Sequence, residues 1–195
     1  MNGKLILAGI LSLVISGNAI AADYTIDPDH SSVAFKVKHL AISTVPGKFT
    51  QFTGTFSYDE TNPAQAKAEA EIKVQSIDTG NQKRDDHLLS GDFFLAAEFP
   101  SIKFVSKEVK PGSDGEMSVT GDLTIRGVTK PVTLNVQFGG TGKDPFGKDR
   151  AAFSGTTKIN RKDFGVNWNK VLETGGFVVG DEVQVEISVE GTKNG

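Results

Sequence analysis

The chain reads as an all-β protein, a single eight-stranded antiparallel barrel with one short helical segment near residues 81–97. Three observations predict it. Apolar and polar residues alternate with period two, not 3.6, in eight separate stretches, the pattern of half-buried strands. Short connectors rich in Gly, Pro, Asn and Asp join them, which makes sequence neighbours antiparallel. Little helix is available to cover the one-sided strands, so their apolar faces must bury against each other, and closing eight strands also removes the exposed edges.

In chain order, the first stretch sets Val33, Phe35 and Val37 against Ser32, Ala34, Lys36 and Lys38. The second sets Phe52, Gly54, Phe56 and Tyr58 against Thr53, Thr55 and Ser57. In the third, AQAKAEAEIKV at residues 64–74, Ala66, Ala68 and Ala70 take one parity and Lys67, Glu69, Glu71 and Lys73 the other. These are good helix formers, but a helix would scatter the alanines around its axis, whereas a strand puts them on one face. Ile102 and Phe104 begin the fourth; Met117, Val119, Gly121, Leu123 and Ile125 form the apolar parity of the fifth. The sixth carries Val132, Leu134, Val136 and Phe138, and the seventh Phe153, Gly155, Thr157 and Ile159. Val183, Val185, Ile187 and Val189 complete the set. Turns are expected at 59–63, 111–115, 127–131 and 139–147, with a loop over 41–47. Only Asn81–Pro100 breaks period two; it reads as one or two helical turns, ended by Pro100, outside the ladder or across a barrel mouth.

Lys4, the apolar run Leu5–Ile15 and Ala19-Ile20-Ala21 have the plan of a secretory signal peptide, with cleavage expected after Ala21 or Ala22. That run is too short to span a bilayer, so stable membrane insertion is not expected. The expected division is 1–21 signal peptide and 22–195 one barrel domain. A formal charge of −3, with no Lys/Arg run interleaved with aromatics, argues against nucleic acid as a partner. The absence of cysteine excludes a thiolate nucleophile and a thiolate metal site, and export without disulfides points to the periplasm.

An eight-stranded barrel either fills its interior or holds one small ligand. Ala66, Ala68, Ala70, Gly54, Gly121, Gly155 and Thr157 all take inward parities and leave volume. Two readings follow: a taper in which large residues from the opposite wall meet the small ones, or a cavity. With no Asp, Glu, Lys or His expected inward in the strands, a guest would be a hydrocarbon.

The densest polar cluster is RDDHLLSGDFF, Arg84–Phe94, with His87 between Asp85, Asp86 and Asp92. It admits three readings: a solvated turn in which an Asp caps a short helix, a polar rim for a ligand head group, or an acid-base or metal site. Phe93, Phe94, Leu95 and Phe99 follow as a lid or as barrel-end core. INRKDFGVNW, Ile159–Trp168, reads as a closing turn in which Arg161 meets a carboxylate and Trp168 plugs the barrel bottom. No nucleophile elbow or phosphate-cradling motif is present.

Taken in order, YTIDPDHSSVAFKVKHL, GKFTQFTGTFSYDETNP, SIDTGNQKRDDHLLSGDFF, FPSIKF, VTGDLTIRGVTKPVTL, INRKDFGVNW and VGDEVQVEISVE resemble the YceI-like family of secreted polyisoprenoid-binding proteins over essentially the whole mature chain. The resemblance implies a lipocalin-like barrel in the periplasm. It would hold one long isoprenoid, such as a quinone or polyprenyl lipid, or another long-chain amphiphile, and would carry or store it without chemical change. No catalytic residue, metal or cofactor beyond the bound lipid is implied. Phe35, Val37, Phe52, Phe104, Ile125, Phe138 and Phe153 would line the tail, with Phe94, Phe164 and Trp168 near the ends. Ala68 and Ala70 are added for the space they leave, and Arg84, His87 and Arg161 as head-group contacts. The alternatives are an enzyme acting on a lipid head group through His87 and a neighbouring Asp, and a filled barrel serving only as an interaction module. Loops 41–47 and 139–147 offer surfaces for a homodimer.

Overall fold

The computed structural model describes residues 21–172 and 175–195, so the expected signal peptide lies outside the described residues apart from Ala21. Eleven strands form one sheet. They are β1 (Ala22–Ile26), β2 (Ser32–His39), β3 (Ser43–Phe49), β4 (Phe52–Tyr58), β5 (Lys67–Lys73) and β6 (Ile77–Asp78), then β7 (Ser101–Pro111), β8 (Glu116–Ile125), β9 (Val128–Lys143), β10 (Asp149–Asn160) and β11 (Val179–Lys193). The one α-helix among the described residues is α1 (Gln82–Leu89).

The eleven segments make eight staves. β1 and β2 both run antiparallel to β11, at Tyr24↔Lys193 and Val33↔Ile187, and are one long strand interrupted by a 3-10 turn at Pro28–His30. β3 pairs with β2 and β4 with β1, so these two are a second long strand bent at Thr50–Gln51. The ring continues β4–β5–β7–β8–β9–β10–β11 and closes where β11 meets β1. Every pairing is antiparallel, and the fold class read from periodicity is the one observed.

Four local expectations are corrected. Residues 43–49 are strand, not loop, and β1 precedes the first expected strand. Pro46 and Gly47 disguise β3; Gly47 is needed because a Cβ there would lie 2.3 Å from the Phe35 ring. The turn after β8 is only Arg126-Gly127, both with positive φ, the two-residue geometry of a tight hairpin. Pro131 therefore lies inside β9, below the stretch that ladders with β10, where its missing N–H costs no bond on that side. Residues 139–143 likewise extend β9, with a bulge opposite Ala152/Phe153. Lastly, α1 ends at Leu89, eleven residues before Pro100: Asn81, not an Asp, caps its start by accepting from the Arg84 N–H, and Ser90 leaves helical geometry at its end.

Two clusters stop the barrel. At the α1 end Phe49, Val74, Ile77, Phe93, Ile125 and Phe164 pack together. At the other, Tyr24 stacks on Phe56 at 4.9 Å, and Tyr58, Phe138 and Phe153 meet at 4.8–5.2 Å above Met117 and Val109. Such ring pairs each add about 0.5–1.5 kcal/mol beyond the area they bury.

Candidate ligand cavity

Between the two clusters runs a cavity of about 540 Å³ with an almost wholly apolar wall. Period-two alternation builds it: the parity of each strand that carries Val, Ile, Leu and Phe faces inward. Ala66, Ala68, Ala70 and Thr157 are on the wall, whereas Gly54, Gly121 and Gly155 are not. The glycines are filled from alongside, since an added Cβ would lie 2.5 Å from the Phe104 ring at Gly121, 2.7 Å from Ile26 at Gly54 and 3.0 Å from Ile187 at Gly155. Glycine thus follows the taper reading and alanine the cavity reading.

Of the sequence-derived tail positions, Phe35, Val37, Phe52, Ala68, Ala70 and Phe94 line this space, as do Phe104, Ile125, Phe153, Phe164 and Trp168. Phe138 does not; its ring is spent against Tyr58 and Phe153 in the end cluster. The expectation of strands free of inward Asp, Glu, Lys or His departs from the structure at His39, which continues the parity of Val33, Phe35 and Val37 at the end of β2 and borders the cavity. Lys38, Lys67 and Glu69 also border it but are solvent-exposed on the outward parity. Sequence reasoning also missed Ser106 on the wall, whose Oγ accepts the Ala68 N–H at 2.8 Å. The β7 bulge beside it, between Ser106 and Glu108, carries no sequence signal.

The polar groups collect at the α1 end. Arg84 Nε donates to Thr79 Oγ1 at 2.7 Å and one Nη2–H to the Thr79 carbonyl at 2.8 Å. Buried Asp85 holds Thr79 from the other side. His87 sets its ring edge-on to Phe93 and Trp168, at 5.0 and 4.9 Å, and its Nε2 lies 2.8 Å from Asp92. Trp168 thus closes the α1 end beside His87. Arg161, 5% exposed, spends all five of its N–H donors: on the carbonyls of Gly180, Val166, Trp168 and Val179 and on Asp181 at 3.2 Å. Burial pushes its pKa down while Asp181 opposes that, and its position is that of a strut pinning Val166 and Trp168 to the start of β11.

Among the described residues, the one trio spaced to share a metal ion is Asp27, His30 and Glu190, outside the cavity wall. Arg150 already bonds both acids and also Asp144, so a cation is in place there.

The family model of the YceI-like domain matches residues 24–191. A UPF0312 protein of Vibrio vulnificus is 40% identical over 99% of this chain and 100% of its own length. Among solved structures, BcnA of Burkholderia cenocepacia is similar with a TM-score of 0.75 and 29% identity, covering 85% of this chain and 98% of that one. A polyisoprenoid binding domain from Saccharophagus degradans shares the fold at a TM-score of 0.63, with 16% identity over 88% of this chain and 98% of that one. With the domain model spanning the whole closed ring from β1 to β11, the chain belongs to the YceI-like family.

Proposed function

We propose that the barrel binds the hydrocarbon chain of a long isoprenoid-type lipid, a quinone or a polyprenyl compound, and carries or stores it in the periplasm without chemical change. The carrying observation is the apolar cavity of about 540 Å³ enclosed between two aromatic clusters. Its size falls within the usual range for small-molecule sites. Each methylene transferred from water to such a wall contributes about 0.8 kcal/mol, so a long tail binds with few polar contacts. The name of the Saccharophagus domain supports the same ligand class. The tail would lie along Ala68, Ala70 and Phe104, with the head group at the α1 end beside Arg84 and His87. Arg84 keeps guanidinium N–H groups beyond the two bonded to Thr79, whereas Arg161 does not.

Mass spectrometry of an organic extract of the purified protein tests this directly. A stoichiometric prenyl-chain lipid is expected. An empty extract, together with no uptake of ubiquinone or undecaprenol from detergent, would sink the proposal. A head-group enzyme working through His87 predicts instead that His87→Ala abolishes a measurable turnover; under the carrier reading the same variant retains its lipid.

A further inference from the structure

The turn at the tip of the β2–β3 hairpin breaks a local rule. Leu40 and Ala41 both have positive φ, 53° and 60°, and the Ile42 N–H donates to the His39 carbonyl at 3.2 Å. Two central residues with positive φ make the mirror-image turn that strongly prefers Asn-Gly or Asp-Gly. Here Leu-Ala occupies it, although non-glycine residues in this region carry strain. Packing does not repay that strain at Ala41, which is exposed beside an Ile42 that is 83% exposed, whereas Leu40 is half-buried.

A second loop stands beside the tip. The Leu40 N–H donates to the Val178 carbonyl at 2.9 Å, the Val178 N–H donates to the Lys170 carbonyl at 3.1 Å, and Val171 forms an isolated bridge with Phe177. Val171 is 76% and Phe177 51% exposed. Of the large exposed apolar side chains among the described residues, only Val105 and Phe146 lie elsewhere. The cavity wall reaches this tip, where it includes Lys38, His39, Val45 and Val178. Among the described residues, two basic groups stand free beside the apolar tips: Lys38 is exposed and makes no ion pair, and Lys170 is exposed, whereas Lys162 Nζ, 5.2 Å over the Phe177 ring, is already paired with Asp181 at 2.8 Å. Apolar tips ringed by lysine match the layering of a bilayer interface, with hydrocarbon inside and phosphate outside.

We propose that this end of the barrel docks on an anionic phospholipid bilayer, inserting Ile42, Val171 and Phe177 while Lys38 and Lys170 meet the head-group phosphates. The proposal rests on the lipid-binding reading above and adds where the lipid enters: a tail drawn from the bilayer passes Val45 and Val178 into the cavity without crossing water. The contact is peripheral, and no helix among the described residues is long and apolar enough to cross a membrane.

Co-sedimentation with phosphatidylcholine vesicles, with and without phosphatidylglycerol, tests it. The chain is expected to sediment with the phosphatidylglycerol vesicles and to be released by salt. Ile42→Asp/Phe177→Asp should weaken binding about tenfold or more. Phe146→Asp, at an exposed position in the β9–β10 loop away from the tips, should bind as the unmodified chain does. Should the double variant fail to fold, Ile42→Asp alone decides, since at a position 83% exposed it should melt with the parent while reducing vesicle binding. Docking is overturned by absent binding, by equal binding of the tip variants, or by a dimer that the tip variants dissolve without any vesicle binding. Extracting the same preparations separates the two proposals. Bound lipid without vesicle binding removes docking alone, whereas vesicle binding with an empty, unfillable cavity removes the carrier reading and leaves docking standing.

Discussion

Ala68 and Ala70 face Phe56 and Gly54 across the β4–β5 ladder and leave their part of the wall thin. A phenyl ring added at either position projects into space a guest would use. Ala68→Phe and Ala70→Phe should therefore abolish lipid retention in the extract assay while melting within a few degrees of the lipid-stripped parent. A filled interior would instead be overpacked, at a cost of about 1–3 kcal/mol. Arg161 predicts the opposite profile. Removing it in Arg161→Ala takes the side-chain donor from the buried or half-buried carbonyls of Val166, Trp168 and Gly180, while Val179 keeps Asn169 and Asp181 keeps Lys162, and should cost about 3 kcal/mol in urea unfolding. At this scale the sequence was legible wherever parity alone decides, as for Phe35, Phe104 and the alanines. It was silent on which small residues face empty space. Gly121 and Ala68 share an inward parity, and only the position of the Phe104 ring separates them.

The element that departs most from sequence expectation is the broken stave β1–β2. Its break at Asp27–Ser31 is held by ions: Arg150 on β10 bonds Asp27, Glu190 on β11, and Asp144 in the β9–β10 loop, while His30 Nδ1 lies 3.0 Å from Asp27. The Arg150 hydrogen bond, then that of His30, holds Asp27 at a pKa of about 2; the Asp27 hydrogen bond raises that of His30. A lowered carboxylate contributes stability above its ordinary pKa of about 4 and loses it as pH falls through about 2. A raised histidine contributes below about 6.5 and loses its share as pH rises through the shifted value. Melting temperature is thus expected to plateau between about pH 4 and 6.5. Asp27→Asn should lower it there and converge with the parent toward pH 2; His30→Ala should lower it at pH 5 and converge in alkali. A constant offset across that range would show the network to be incidental. None of this was readable beforehand, because the partners lie up to 163 residues apart on four separate elements.

Across the whole molecule, the number of staves was legible because closure is the general solution for one-sided strands, and eight alternations left no strand to cover another. The hollow was not. Whether eight strands enclose a filled core or a tunnel depends on where rings from different strands meet, and here they meet at both ends and not between. That arrangement ties stability to occupancy. The apolar wall between the clusters has few partners of its own, so a bound hydrocarbon supplies contacts that the folded state has and the unfolded state lacks. A guest present at about one hundred times its dissociation constant adds about 2.7 kcal/mol. For a chain of this size, stripping the lipid with organic-solvent or detergent exchange should lower the melting temperature by about 5–10 °C. Refilling with a prenyl lipid should restore it, and Ala68→Phe, having no room for the guest, should show neither change. If stripped and filled protein melt alike, the tunnel contributes nothing to folding and its occupant is not the isoprenoid tail proposed here.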